Sequence, residues 1–177
     1  MKKIDIRSMV ITAICSATIA VCAQVAIHTP SGIPITMQTF AIAFTAYLLG
    51  SGWGTASVGV YLLMGAAGIP VFAGFRGGAG MLFSYTAGFL WGFLPMAALC
   101  GWKRDTLLSR LLLGFTGLVI CHASGVTVYS FLSSRPWTAA FLIVSLPYLP
   151  KDVLSLVGAA LLAPAVIRVL RLKTGIS

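Results

Sequence analysis

Residues 146–164 read LPYLPKDVLSLVGAALLAP. After Lys151 and Asp152 no further charge occurs until Arg168, which at 1.5 Å per residue is about 24 Å of helix. A helix of this length and polarity is typical of a membrane span, because the hydrocarbon core of a bilayer is about 30 Å thick. The stretch therefore predicts a membrane helix with an ionisable pair near one end.

The rest of the chain has the same apolar character. Of its 177 residues, 59% are hydrophobic and 8% are charged, whereas about 25% of the residues of a soluble domain are charged. The pattern predicts an all-α integral membrane protein, with one domain over residues 1–177 and a glycine-rich external loop between its third and fourth helices. Six transmembrane helices are expected at residues 8–27, 35–50, 54–69, 80–101, 108–132 and 142–167.

The basic residues indicate the orientation. Twelve Lys and Arg against three Asp give the net charge of +9, and the basic residues lie at segment ends without the continuous basic face that nucleic acid requires. With six spans, nine of them fall on the side of the two termini, which the positive-inside rule makes cytoplasmic. These nine are Lys2, Lys3, Arg7, Lys103, Arg104, Arg110, Arg168, Arg171 and Lys173; Arg76, Arg135 and Lys151 remain for the outer half.

The first segment allows two interpretations. Its basic start, MKKIDIR, and the small residues around Ala23 have some features of a signal peptide, but its apolar run is longer than a usual signal core. Ala13 and Ala17 are spaced i, i+4, which gives a small-residue face that another helix can approach closely. The spacing alone favours packing of this face inside the protein.

Several kinds of chemistry find little support. Cys15, Cys22, Cys100 and Cys121 lie in apolar runs without CxxC spacing, so we expect packing residues rather than a disulfide or a metal site. No G-x-x-x-x-G-K-[ST] motif occurs, so any ATP must be used by another subunit. The chain is not expected to be an enzyme, since its membrane segments offer one carboxylate and one histidine.

Asp152 is the unusual residue. The other two acids, Asp5 and Asp105, neighbour basic clusters, whereas Asp152 lies in the outer leaflet, where burying an unpaired charge costs on the order of 3 kcal/mol. Either its carboxylate caps the helix start while Lys151 extends to the headgroups, or it faces a ligand. His122, about 18 Å of helix beyond Arg110, lies at a similar depth, so a proton relay with Asp152 is a further possibility.

Three stretches resemble one known family. Residues 33–78 read IPITMQTFAIAFTAYLLGSGWGTASVGVYLLMGAAGIPVFAGFRGG, residues 85–93 read YTAGFLWGF, and residues 146–164 are quoted above. Together they resemble the BioY family over nearly the whole chain. BioY proteins are the biotin-binding S components of energy-coupling factor (ECF) transporters.

The resemblance implies a fold, a function and partners. It implies six helices in the plasma membrane of a prokaryote, with both termini cytoplasmic and an outer-leaflet pocket that captures biotin from outside. The implied partners are a transmembrane coupling protein and two ATPases, which alone use ATP, so no cofactor is expected in this chain. Ala13 and Ala17 then become a face on the first helix that docks the coupling protein.

The resemblance also implies binding residues. Asp152 matches the binding Asp of the family, which would accept the ureido N–H groups of biotin. The chain departs from the family at three positions: Ser155 stands where a Lys is common, Arg76 where an Asn is often found, and Leu90 where some members have Arg. Arg76 and Lys151 are therefore expected to supply the cations, one for the biotin carboxylate and one for the ureido oxygen or Asp152.

Further contacts are expected around these charges. Thr36, Gln38 and Tyr85 are candidates for hydrogen bonds, Phe75 or Tyr148 for stacking on the ring system, and Ser155 is a further candidate for the binding site. Two other functions stay open: an S component for another small vitamin, or a proton-coupled carrier or small membrane enzyme that uses His122 and Asp152.

Overall fold

The computed structural model describes residues 6–27, 29–102 and 105–174, with side chains through Val169. Most of these residues are helical, which confirms the predicted all-α class. Of the helices found there, Ile6–Gln24, Leu107–Ser133 and Leu149–Val169 are each long and apolar enough to cross a membrane. The helices are α1 (Ile6–Gln24), α2 (Gln38–Ala66), α3 (Ala87–Cys100), α4 (Leu107–Ser133), α5 (Trp137–Val144) and α6 (Leu149–Thr174).

The helix α2 is a hairpin of two arms. Gly50 interrupts it with φ 84° and ψ 174°, a left-handed conformation that glycine adopts without a steric penalty. Gln38 and Tyr61 would lie about 34 Å apart on a straight helix, yet Gln38 Nε2 donates to Tyr61 Oη at 2.8 Å. The arms correspond to the segments predicted at 35–50 and 54–69.

Several predicted helix bounds differ from the observed ones. Residues 26–27 and 35–36, expected inside the first two helices, form a two-stranded sheet, and two later helices start after the expected residue. The segment expected at 80–101 begins with a 3-10 helix, Ala79–Phe83, and α3 starts only at Ala87. Ser84 Oγ lies 2.9 Å from Thr86 Oγ1 and donates to the carbonyl of Met81 at 2.8 Å, and such side-chain bonds compete with the helical pattern.

The segment expected at 142–167 is likewise divided. The short helix α5 precedes it, and α6 begins at Leu149 and continues to Thr174. Pro147 lies in the break, where it lacks a backbone N–H and disfavours helical conformation in the residue before it. Pro150 is tolerated because it lies in the first turn of α6.

Small residues bring α3 and α4 close together. A Cβ at Gly92 would lie 2.8 Å from the Cα of Cys121, and a Cβ at Gly117 would lie 3.0 Å from the Cα of Met96. Close approach through glycine is the usual way in which helices pack in lipid. The contact places Phe89 of α3 edge-on against His122 of α4, with ring centroids 5.7 Å apart.

A two-stranded sheet joins α1 to α2. β1 (Ala26–Ile27) pairs antiparallel with β2 (Ile35–Thr36), with Ala26 opposite Thr36. After α2 the glycine-rich loop turns back on itself, because Phe72 and Arg76 exchange both backbone hydrogen bonds, at 2.9 and 3.1 Å. We call residues 71–76 the loop hairpin.

The predicted orientation of the protein in the membrane depends largely on basic residues that lie outside the described ranges. Residues Lys2, Lys3, Asp5, Lys103 and Arg104, and the side chains of Arg171 and Lys173, lie outside the described residues.

Candidate functional site

A cavity opens between the helices where α6 begins. Its volume is about 720 Å³, including the space at its mouth. Its walls come from the chain before α2, from α2, α3, α4 and α6, and from the loop hairpin. The lining residues are Ile33, Pro34, Thr36, Gln38, Thr39, Phe72, Ala73, Arg76, Met81, Thr86, Phe89, Leu90, Phe93, Leu118, Cys121, His122, Tyr148, Lys151 and Asp152.

Asp152 is the carboxylate of this cavity. It lies in the first turn of α6 and only 6% of its surface is exposed. Its Oδ1 accepts from the ammonium of Lys151, and its Oδ2 lies 3.2 Å from Nε2 of His122. The side chain of Thr39 is a third hydrogen-bond partner. All three contacts of the carboxylate are with side chains, which differs from the helix-capping interpretation.

Lys151 points into the protein. Its Nζ donates to the carbonyl of Thr36 at 2.7 Å as well as to Asp152. The expectation that this side chain extends to the headgroups is therefore wrong, and the reason is that a buried carboxylate and a free carbonyl lie within its reach. An ammonium has three donors, so one remains for another acceptor in the cavity.

His122 connects Asp152 to a buried serine. Its Nδ1 lies 2.8 Å from Oγ of Ser145, and its Nε2 faces Asp152. An ionised carboxylate only accepts hydrogen bonds, so Nε2 carries a proton in this contact. Ser145 is fully buried, which fixes the imidazole ring from the side away from the cavity.

Gln38 and Thr36 form a second polar group. Thr36 Oγ1 donates to Oε1 of Gln38 at 2.7 Å, and Nε2 of Gln38 donates to Tyr61 Oη at 2.8 Å. A primary amide has two donor hydrogens, so one of them remains for the cavity. The orientation of Gln38 is thus determined by two neighbours before any ligand binds.

Arg76 supplies the charge on the loop side of the cavity. It is exposed, unlike Asp152, and it belongs to the loop hairpin. Within the described residues, no hydrogen bond or ion pair of its guanidinium is recorded. Its five donors are therefore available to an anion at this side of the cavity.

Much of the remaining lining is apolar or aromatic. Phe89 and Phe93 follow one face of α3, and Leu118 and Cys121 face them from α4. Tyr148 closes another side, and its hydroxyl is occupied by Thr29 Oγ1 at 2.8 Å and by the Ile33 carbonyl at 2.5 Å. Its ring therefore remains for contact inside the cavity. A charged group beside an apolar wall is typical of a small-molecule site.

Comparison with known proteins assigns the chain to a family. Residues 1–172 match the model of the BioY family. The chain belongs to the BioY family. It is 38% identical over 161 residues to the biotin transporter BioY of Thermotoga maritima, covering 89% of this chain and 94% of that protein. It is 29% identical over 175 residues to the biotin transporter BioY2 of Lactococcus lactis, covering 96% and 95%.

A solved structure has the same fold. The S-component for biotin from an ECF-type ABC transporter superposes with a TM-score of 0.80 at 24% sequence identity, covering 94% of this chain and 91% of that one. BioY membership and the apolar helices together establish a multi-pass membrane protein.

The cavity brings together six of the residues suggested by the BioY resemblance. Three others lie outside its lining. Phe75 is 72% exposed at the end of the loop hairpin, and Tyr85 is 48% exposed and packs on Tyr129. Ser155 is buried one turn along α6, but it is not part of the wall. The six that line the cavity are Thr36, Gln38, Arg76, Tyr148, Lys151 and Asp152.

Several lining residues were missed by the reasoning from sequence. Phe89 and Phe93 of α3 are spaced i, i+4, which is a helical signal. The aromatic pair lies inside a stretch already matched to BioY, and its spacing could have indicated a wall. Phe72 offered no such signal, because its position depends on how the loop hairpin folds.

The small-residue face of α1 points outward. Ala13 and Ala17 are exposed, whereas Ser16 and Ile19 are buried. Ser16 Oγ donates to the carbonyl of Ser57 on α2 at 2.8 Å. The packing of α1 inside this BioY protein therefore uses the neighbouring face, and the interpretation that Ala13 and Ala17 pack internally is wrong.

Proposed function

We propose that this protein is the substrate-binding membrane subunit of a biotin uptake transporter, and not itself an enzyme. The observation that carries the proposal is the buried carboxylate of Asp152, held by Lys151, His122 and Thr39 in a cavity with a largely apolar wall. A mostly apolar lining with a few placed polar groups is the usual composition of a pocket that binds a small molecule. The names of the relatives from Thermotoga maritima and Lactococcus lactis support biotin as the ligand.

Asp152 would recognise the ureido group of biotin. Each of its two oxygens already takes one donor, from Lys151 and from His122. A carboxylate has about four acceptor sites, and the Thr39 hydroxyl also bonds this carboxylate, so three sites are taken and one remains for a ureido N–H. Charge-assisted hydrogen bonds of this kind are roughly twice as strong as neutral ones.

Arg76 would bind the carboxylate of the biotin tail. Lys151 is already bound to Asp152 and to the Thr36 carbonyl, so its remaining donor suits the ureido oxygen. Arg76 lies on the exposed side, where the tail of a ligand would end. Two cations and one carboxylate give the lining a net charge of +1 when His122 is neutral, which complements a ligand of charge −1.

Transport would require partners. The chain has no P-loop motif, and the related solved structure is named as the S-component of an ECF-type ABC transporter. We therefore propose docking to a transmembrane coupling protein and two ATPases, with Ala13 and Ala17 in the docking face and no cofactor in this chain. Clustered Lys and Arg support cytoplasmic termini in the plasma membrane of a prokaryote.

Titration calorimetry with biotin tests the proposal directly. The full chain is purified in detergent, stripped of any bound ligand and titrated with biotin, desthiobiotin, riboflavin and thiamine in turn. We expect one-to-one binding of biotin. A folded protein that binds riboflavin or thiamine but not biotin would refute biotin as the ligand, while the cavity could still be the binding site.

The contact between His122 and Asp152 favours a second candidate, a proton-coupled carrier. Such a carrier would accumulate its substrate in liposomes under a pH gradient without any partner subunit, and His122→Ala would abolish this uptake. The S-component proposal expects no sustained accumulation under the same conditions.

A further inference from the structure

The side chain of Gln24 connects the end of α1 to the loop hairpin. Its Nε2 donates to the carbonyls of Val71 and Phe72, each at 3.1 Å, and also to that of Ala20 at 3.3 Å. Its Oε1 accepts from the backbone N–H of Phe75 at 2.9 Å. The nitrogen and the oxygen of this amide therefore both bind backbone groups of residues 71–75, which lie 47 to 51 residues further along the chain.

The loop hairpin forms part of the cavity wall. Phe72, Ala73 and Arg76 all line the cavity. Since Phe72 and Arg76 exchange two backbone hydrogen bonds, a displacement of one displaces the other. Gln24 binds backbone groups on both sides of the turn, so it determines where the whole hairpin lies relative to α1.

The other attachments of this segment go to α2. The Gly78 N–H donates to the Gly65 carbonyl at 2.7 Å, and the Phe72 ring lies edge-on against Tyr61 with centroids 5.5 Å apart. Phe75 is held at φ 56°, a conformation that costs energy for a residue with a side chain. Its N–H is the one that Gln24 binds, so the Gln24 contact supports the strained residue of the turn.

We propose that Gln24 is a positioning residue of the binding site. Its amide holds the loop hairpin, and with it Arg76, over the cavity, and this slows the release of bound ligand. The inference rests on the proposed function in one respect, namely that the ligand occupies this cavity with its anionic end at Arg76. The position of the hairpin itself does not depend on what binds.

The first test measures the hairpin without ligand. Hydrogen exchange of the backbone amides of residues 71–76 is followed by mass spectrometry in the full chain and in Gln24→Met, which keeps the length of the side chain but loses every hydrogen bond. Ser16→Ala is the matched control, because it removes the bond from α1 to Ser57 and touches no residue of the hairpin. We expect faster exchange in Gln24→Met alone; equal exchange in all three proteins would overturn the inference.

The second test measures release. Dissociation of radiolabelled biotin should be about tenfold faster in Gln24→Met, because several hydrogen bonds that hold the hairpin are lost. Gln24→Glu, which keeps the acceptor for Phe75 and loses both donors, should give an intermediate rate and serves if Gln24→Met does not fold. In an Arg76→Ala background the effect of Gln24→Met should shrink, since the group that it positions is gone.

The outcomes separate the two proposals. A wild-type protein that fails to bind biotin would refute the proposed function, while the exchange measurement would still decide the role of Gln24. A wild-type protein that binds biotin, with unchanged release in Gln24→Met, would refute the positioning role.

Discussion

The imidazole of His122 lies 3.2 Å from the carboxylate of Asp152, and both side chains are buried at the same cavity. On the far side of the ring, Ser145 Oγ lies 2.8 Å from Nδ1. The three residues come from α4, from the turn before α6 and from α6. The orientation of the Asp152 carboxylate therefore depends on contacts between separate parts of the fold.

Removing the charge of Asp152 should remove most of the binding. In Asp152→Asn the shape is kept, but an amide N–H₂ group replaces one acceptor oxygen and Lys151 loses its counter-ion. We expect affinity for biotin to fall by about 100-fold or more, since a charge-assisted bond is lost and a buried ammonium is left unpaired. Calorimetry measures the change. Asp105→Asn, at an exposed carboxylate outside the cavity lining, is the control and should bind normally.

Arg76 should contribute through the tail of the ligand. Arg76→Ala is expected to weaken binding of biotin about tenfold or more, but to change binding of biotin amide, which has no negative charge, much less. The comparison of the two ligands measures the charge interaction alone. Arg135→Ala, at an exposed arginine outside the cavity lining, is the control. If both ligands lost equal affinity in Arg76→Ala, the tail carboxylate would lie elsewhere.

Ser145 should act only through His122. His122→Ala is expected to weaken binding about tenfold by releasing Oδ2 of Asp152. Ser145→Ala should have a smaller effect, and in the His122→Ala background it should have almost none, because the residue that it orients is gone. Calorimetry of the single and double variants gives the coupling energy. Additive effects in this cycle would argue against the orienting role.

Gly92 should be essential for the packing of α3 on α4. A Cβ there would lie 2.8 Å from the Cα of Cys121, and backbone atoms cannot yield as a flexible side chain can. We expect Gly92→Ala to destabilise the fold by about 1–3 kcal/mol. Thermal unfolding in detergent is the measurement. Gly59→Ala is the control: its Cβ would meet nothing within 4 Å, and the change should be neutral or stabilising.

The long helices could be predicted from sequence because lipid imposes a simple rule. A span must be apolar over about 20 residues, and breaks at Gly, Pro and charge divide the chain accordingly. The starts of α3 and α6 could not be predicted as well. They depend on hydroxyl groups at Ser84 and Thr86, and on Pro147, whose local effects compete with a uniformly apolar pattern.

The polar residues of the site were easier to predict than its walls. An ionisable residue in a membrane segment, such as Asp152, attracts attention because its burial is costly. In the loop hairpin the sequence predicted Phe75 as a contact residue, whereas Phe72 is the one that lines the cavity, and no pattern in the sequence indicated this. Phe75 is exposed instead. The backbone of both residues is bound by the side chain of Gln24, which is distant in sequence.

The bond from Lys151 to the Thr36 carbonyl does not depend on which side chain stands at position 36. The acceptor is a backbone atom, so any residue that keeps the strand β2 in register supplies it. Replacing Thr36 by Val would therefore remove the hydroxyl that holds Gln38 and leave the anchor of Lys151 in place. Substitutions at position 36 are expected to alter the amide half of the cavity independently of its charged half, which allows the two halves to evolve separately.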